Sequence, residues 1–360
     1  MSETKGNNTR KEILGQTAVW EKVLQDVLGR EKRIRDFFHR EPLDEVVFIG
    51  CGSTYYLSLC AAATFQSLTG TSARALPSSE VFLFPQASLS KGKNTLLVAI
   101  SRSGETTETL LAARKFEETC GRNVLAITCY EDSALATQYP DALVLPWAKE
   151  KSVAQTRSFA SMLLTAQLCA GIAGGQADYC EQLKALPGHG ERLIAEQHRF
   201  IKELGENERL AKFVFLGSGP NYGLACEAML KMKEMSLSPS EAFHFLEFRH
   251  GPKSAVDEKT LVVGLLSDSA RDYEIALLKE MRALGAKTLV LAEREVEEGA
   301  DYALPLNAGL PELARSVLYI LPLQLLAYYR ALARGLDPDV PLHLDAVVKL
   351  ETGGTGRCLG

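Results

Sequence analysis

An α/β fold built as two repeated halves, each a parallel sheet flanked by helices, is the architecture the sequence predicts. Two internal matches and one pattern carry that prediction. Glu45-Val-Val-Phe-Ile-Gly-Cys-Gly-Ser-Thr-Tyr55 lines up with Lys212-Phe-Val-Phe-Leu-Gly-Ser-Gly-Pro-Asn-Tyr222, each an apolar run that ends in a Gly-x-Gly turn and leads into a helix-forming segment. Thr95-Leu-Leu-Val-Ala-Ile100 lines up with Thr260-Leu-Val-Val-Gly-Leu265, and downstream of each lies a further apolar run, Asn123 to Thr128 and Lys287 to Ala292. Strands of unbroken apolar character are buried on both faces. Alternating with helical stretches, they form right-handed βαβ units around a parallel sheet.

Taken in order, the chain divides into N-terminal helices over 1–39, a first half over 40–190, a second half over 200–335 and a tail over 336–360. Between Arg10 and Arg40, Ile13, Val19, Trp20, Val23, Leu24, Val27 and Leu28 recur at helical spacing and predict long helices packed on the first half. Gly188-His189-Gly190 marks the expected break between halves, before a charged helix from Glu191 to Asn207. The tail beyond Gly353 is glycine-rich and is expected to be loose.

With 360 residues, 46 % of them hydrophobic, the chain can bury two cores of ordinary size. A net charge of −5 and the lack of any Lys/Arg run argue against nucleic acid as a partner. The eight cysteines show no CxxC spacing, which argues against a zinc or thiol redox site and for a reducing compartment. A polar start and the lack of an uninterrupted apolar run of membrane-spanning length predict a cytoplasmic protein with no membrane association.

In an open parallel sheet, ligands lie beyond the carboxyl ends of the strands, where a helix N-terminus offers N–H groups and a favourable dipole to an anion. Ser101-Arg102-Ser103-Gly104-Glu105-Thr106 follows such a strand and opens a helix near Thr107. The hydroxyls of Ser101, Ser103 and Thr106, the glycine and the helix start fit a phosphate, to which Arg102 either adds charge or turns its side chain to solvent; a Ser/Thr-capped turn without a ligand fits them as well. The corresponding turn of the second half, Leu266-Ser267-Asp268-Ser269-Ala270-Arg271, lacks the glycine and carries an aspartate that would repel phosphate. One half is expected to grip phosphate and the other to have lost that role.

These motifs together resemble the SIS (sugar isomerase) family, from about Glu45 to Val348. The carriers are Ser-x-Ser-Gly-x-Thr after a buried strand, the preceding Gly-Cys-Gly-Ser turn and the degenerate second copy. The likeness is to the isomerase part of glutamine–fructose-6-phosphate aminotransferase and to the glucosamine-6-phosphate deaminase and tagatose-6-phosphate ketose/aldose isomerase branches. It implies two flavodoxin-like SIS subdomains and a phosphorylated sugar or amino sugar as ligand, with no cofactor and no metal.

A helix from Leu224 to Ser236 sets Glu227, Lys231 and Glu234 on one face at i, i+4 and i+7, which reads equally as a solvated face held by a Glu–Lys pair. The resemblance assigns Glu234 as the catalytic glutamate and Lys231 as a lysine beside the substrate, and Glu227 joins them as a binding residue. Glu247-Phe-Arg-His-Gly-Pro-Lys253 is close to the family's His-Gly-Pro signature, which implies ring opening by His250 and, as in relatives, a homodimer or higher oligomer in which His250 serves a neighbouring site. His39, His189 and His198 read as structural. By position, Ser53 and Thr54 offer hydroxyls at the mouth of the first strand, while Val153 and Gln155 lie in a segment resembling the family's substrate loop. Thr156 reads there as a plain helix cap.

Two departures bear on the reaction. No cysteine precedes Cys51, so the glutaminase chemistry of the full aminotransferase is not expected. In the tail Asp337-Pro-Asp-Val-Pro-Leu-His-Leu-Asp-Ala346, the family's lysine position falls on Ala346, with His343 and Lys349 near it in sequence but not at it. The expected function is an isomerase and deaminase of a hexosamine 6-phosphate. A ketose/aldose phosphate isomerase or a fructosamine-phosphate deglycase is the alternative among enzymes, and a sugar-phosphate sensor is the alternative of another class.

Overall fold

The structure, a computed structural model, describes residues 5–121, 123–348 and 350. Its strands are β1 (Glu45–Gly50), β2 (Ser72–Pro77), β3 (Thr95–Ile100), β4 (Val124–Thr128), β5 (Leu143–Val144), β6 (Lys212–Gly217), β7 (Ser240–His244), β8 (Thr260–Leu265), β9 (Lys287–Ala292) and β10 (Tyr302–Pro305). They form two parallel five-stranded sheets, ordered β2-β1-β3-β4-β5 and β7-β6-β8-β9-β10. The two orders are the same, so the repeat in the sequence is a repeat of topology. β1, β3, β4 and β8 are buried at every position, as their unbroken apolar runs require.

A single large core runs through both halves, and a smaller apolar layer covers the outer face of each sheet. Helix Thr107–Cys120 supplies Ala112, Ala113 and Phe116 to the first outer layer, and helix Arg271–Ala283 supplies Leu277, Leu278 and Met281 to the second. The shared core centres on helix Ser316–Ala333, buried along almost its whole length. Among the described residues, the stretch Glu312–Ala333 alone is long and apolar enough to cross a bilayer, and 89 % of its apolar window is buried in the protein, as befits a core helix.

The halves meet where helix Ser53–Thr69 crosses helix Pro220–Ser236, each rising from its own Gly-x-Gly turn. Gly223 makes this crossing close: a Cβ there would lie 2.5 Å from the Tyr56 carbonyl oxygen and 2.7 Å from the Cys60 nitrogen. The second of these helices begins four residues before the expected Leu224, because Pro220 suits a first helical turn, where its missing N–H has no partner to lose.

Two further sequence expectations differ from the structure. The N-terminal segment forms three short helices, Asn7–Leu14, Gln16–Gly29 and Glu31–Phe38, with bends at Gly15 and Arg30. Gly188-His189-Gly190 lies inside helix Leu186–Gly205 and does not separate the halves. Gly190 serves packing: a Cβ there would sit 2.8 Å from both Thr17 and Trp20, so its absence admits the N-terminal helix.

Candidate functional site

In this strand order the chain leaves β1 and β3 toward opposite faces, which opens a crevice beyond their carboxyl ends. The turns Cys51–Ser53 and Ser101–Thr106 border it. Ser101 Oγ accepts the Gly104 N–H at 3.1 Å and lies 3.1 Å from Thr106 Oγ1, while Ser103 Oγ accepts the Glu105 N–H at 3.1 Å. Gly104 has φ of +66°, and a Cβ there would meet Ser133 Oγ at 2.1 Å, so both conformation and space demand glycine. Ser101, Ser103 and Thr106 are thereby gathered at the start of helix Thr107–Cys120, where the dipole favours an anion.

Thr54 closes its own turn, accepting the Cys51 N–H at 2.9 Å and donating to the Cys51 carbonyl at 3.0 Å, rather than standing open at the strand mouth. Ser53 does reach the crevice residues: its Oγ accepts from Lys231 Nζ at 3.1 Å, a bond that joins the two halves. Lys231 also bonds the Glu234 carboxylate and lies 3.4 Å from Glu227 Oε1. Of these three, Glu227 and Lys231 are fully buried and Glu234 keeps part of its surface exposed. Burial pushes the Glu227 carboxyl up to about 8, with Lys231 opposing the rise. Burial alone would lower the Lys231 pKa, but the two glutamates outweigh it and the net shift is upward. A cation thus sits between a buried carboxyl and an accessible carboxylate, which leaves Glu234 as the member placed to exchange a proton with a ligand, while Glu227 is shut off beneath Lys231.

Arg102, expected on the phosphate, is turned elsewhere because its charge is matched inside the protein. Its guanidinium lies 3.6 Å from the buried Glu150 carboxylate and donates to the carbonyls of Val153 at 2.8 Å and Ala346 at 2.9 Å. Val153 also gives its N–H to the Asp339 carbonyl at 3.2 Å, so both its backbone groups already have partners. Gln155 is half-buried nearby. Thr156 does not cap helix Arg157–Ala173 with its side chain; its hydroxyl donates to Glu150 at 2.6 Å. Ala346 stands within this group of contacts, His343 is exposed in the tail, and Lys349 lies outside the described residues, as does the stretch beyond Gly353.

His250 is exposed, and among the described residues its imidazole forms no hydrogen bond; its backbone N–H is held by the Glu247 carbonyl at 3.0 Å. Lys253 lies 3.6 Å from Glu280 on the surface. Thus the structure gathers Ser53, Glu227, Lys231 and Glu234 in one cluster and Ser101, Ser103 and Thr106 in another, and it presents His250 outward. Sequence alone did not single out Glu12, Glu150 and Asp339, which hold the 150–156 loop and the tail, or His244, whose ring stacks on Tyr222 at 3.7 Å at the carboxyl end of β7. A glutamate three residues before Val153, at the start of the segment that resembles the family's substrate loop, was the available signal for Glu150.

The model of the SIS domain family matches residues 43–170 and 209–334. Glutamine–fructose-6-phosphate aminotransferase of Methanothermobacter thermautotrophicus is 30 % identical over 314 residues, covering 86 % of this chain and 52 % of its own, so the chain spans about half the length of that relative. The crystal structure of glucosamine-6-phosphate deaminase from Thermotoga maritima superposes with a TM-score of 0.80 at 32 % identity, covering 96 % of this chain and 100 % of the deaminase chain. Tagatose-6-phosphate ketose/aldose isomerase from Escherichia coli shares the fold, with a TM-score of 0.86 at 22 % identity over 96 % of each chain. The matched segments each contain one sheet, one Gly-x-Gly turn and one of the two homologous crevice turns, and on that agreement the chain belongs to the SIS domain family, with two copies of the domain.

Proposed function

We propose that the protein is an isomerase and deaminase of a hexosamine 6-phosphate, for which glucosamine 6-phosphate plus water giving fructose 6-phosphate plus ammonia is the model reaction. The observation that carries this reading is the Ser53–Lys231–Glu234 cluster, an accessible carboxylate on a buried cation across the crevice from a hydroxyl-lined phosphate turn. The likeness to a glucosamine-6-phosphate deaminase along nearly the whole chain supports release of ammonia.

In this scheme Ser101, Ser103 and Thr106 hold the phosphate with hydroxyls and the helix start. His250, supplied by a second copy of the chain, moves the proton that opens the pyranose ring. Glu234 takes the proton from C2, the amine-bearing carbon of the open-chain aldehyde, and returns it to C1 through an enolamine. The resulting ketimine at C2 adds water and expels ammonia, leaving the ketose phosphate. Lys231, held by Ser53 and both glutamates, orients Glu234 for the transfer.

The test is a panel of hexosamine and hexose 6-phosphates assayed for both ketose and ammonia. Equimolar ammonia and ketose phosphate from one hexosamine 6-phosphate is the expected result, with kcat reduced by about 10²–10⁴-fold in Glu234→Gln. Ketose formation without ammonia would replace this reading by simple isomerisation. Binding of sugar phosphates without turnover of any would replace it by a sensor.

A further inference from the structure

Arg102 belongs to the phosphate turn, yet its side chain is spent on two other parts of the chain. Nη1 donates to the Val153 carbonyl at 2.8 Å and lies 3.5 Å from that of Ser152, while Nη2 donates to the Ala346 carbonyl at 2.9 Å. The side chains of Arg102 and its counter-ion Glu150 are 8 % and 0 % exposed. Glu150 is itself fixed, accepting the Thr156 N–H at 2.7 Å and the hydroxyls of Thr156 and Ser158. A guanidinium whose charge is cancelled at close range adds little field to a phosphate. Its planar fork of donors, however, suits the bridging of two carbonyls from different segments.

The segments it bridges are joined again behind it. The Asp339 carboxylate of the tail accepts the N–H groups of Asn8 at 2.9 Å and Thr9 at 2.7 Å, at the start of helix Asn7–Leu14. From the same helix the buried Glu12 accepts the N–H groups of Lys151 at 2.6 Å and Ser152 at 3.3 Å. With Val153 donating to the Asp339 carbonyl, the N-terminal helix, the substrate loop and the tail close into a ring of hydrogen bonds, and Arg102 ties that ring to the phosphate turn. The tail then passes over the start of helix Thr107–Cys120, where the Leu350 N–H donates to Thr107 Oγ1 at 3.3 Å.

We propose that Arg102 is a positioning residue that latches the tail, through Ala346, and the substrate loop, through Val153, onto the phosphate turn, so that all three segments hold a phosphorylated sugar as one unit. The identity of that ligand rests on the function proposed above; the latch does not. Because Arg102 acts through the segments it fastens and not on reacting atoms, its loss weakens ground-state and transition-state binding alike and falls on KM.

Hydrogen exchange of the ligand-free full chain, compared among wild type, Arg102→Ala and Arg102→Lys, tests the latch without any substrate. Peptides covering 150–156 and 337–348 are expected to exchange about tenfold faster in both variants, with helix Pro220–Ser236 unchanged. With glucosamine 6-phosphate, KM is expected to rise about tenfold in both while kcat stays within about twofold. Lysine keeps the charge but cannot span both carbonyls, so its failure to rescue identifies bridging. It also carries the measurement where Arg102→Ala does not fold. Unchanged exchange in the tail overturns the latch, and so does a lysine variant that restores KM while the tail stays fast, since Arg102 would then serve the phosphate as a cation. If wild type turns over no sugar phosphate, the functional reading fails while the exchange data still decide the latch.

Discussion

The turn after β3 and the turn after β8 start from the same device and end in opposite states. In each, a serine hydroxyl accepts an N–H three residues on, Ser101 from Gly104 at 3.1 Å and Ser267 from Ala270 at 3.0 Å. After that they part. The first turn passes through Gly104 in the left-handed region and gathers hydroxyls at a helix start. The second passes through Ala270 at φ of −112° and receives the buried carboxylate of Glu274, which accepts the Ser267 N–H at 2.7 Å and its hydroxyl at 3.1 Å. Asp268, expected from sequence to repel phosphate, is paired with the buried Arg315 at 2.6 Å. The second turn therefore contains its own anion. In the first turn the serine hydroxyls are engaged with the turn's own N–H groups and with Thr106, whereas in the second the Ser267 N–H and hydroxyl are committed to a carboxylate.

The comparison can be broken most forcefully at Gly104. Gly104→Ala is expected to cost about 2–4 kcal/mol in urea unfolding and to abolish phosphate-dependent stabilisation, whereas Ala270→Gly should cost no more than about 1 kcal/mol. Equal effects at the two positions would show that the turns are not differently built. Next in size is Glu274→Ala, which strips the acceptor from the Ser267 donors and should lose about 1–3 kcal/mol. Inorganic phosphate added to this variant should raise Tm more than it does in wild type, because the vacated donors then have an outside partner. A phosphate response no larger than that of wild type would mean that Glu274 is not filling an anion cradle.

Smaller effects sharpen the picture of the first turn and its neighbours. Ser103→Ala should raise KM about tenfold with kcat unchanged, and a loss confined to kcat would remove Ser103 from phosphate anchoring. Glu227→Gln should change how stability depends on pH. The Glu227 carboxyl is raised by burial to about 8, so between its unfolded value of 4.5 and 8 the native state holds a proton that the unfolded chain has released. Stability from this group is present below the unfolded value and falls as pH rises toward 8. The variant should flatten the decline of Tm across that window; an unaltered slope would assign the decline to other groups.

The central strands and both Gly-x-Gly turns were legible because each is a local pattern: an unbroken apolar run is buried on both faces, and a positive φ at Gly52 or Gly219 leaves its mark as a glycine. The strands β2, β5, β7 and β10 were not legible. They are short or half-exposed, and β2 reads Ser-Ala-Arg-Ala-Leu-Pro with no apolar continuity. Gly190 resembled a break because glycine weakens a helix, while its use lies in contact with Trp20, far away in sequence. At the site, the spacing of Glu227, Lys231 and Glu234 gave their common face but not their unequal burial, which depends on the helix from the other half. Arg102 looked like a phosphate ligand because charge is visible in sequence, while its partners Glu150 and Ala346 are distant segments that only the fold brings together.

The bond from Lys231 to Ser53 has a mechanical meaning as well as a chemical one. It crosses the seam at which Gly223 lets two helices nearly touch, so the geometry of the Ser53–Lys231–Glu234 cluster inherits its precision from the docking of two duplicated units and not from the stiffness of either sheet. A rocking of one unit against the other by about an ångström would part the donor from its acceptor and misplace the carboxylate beside it. Under the proposed reaction, turnover is therefore a gauge of inter-unit alignment, and an effect of a substitution along the seam should be read first as misalignment.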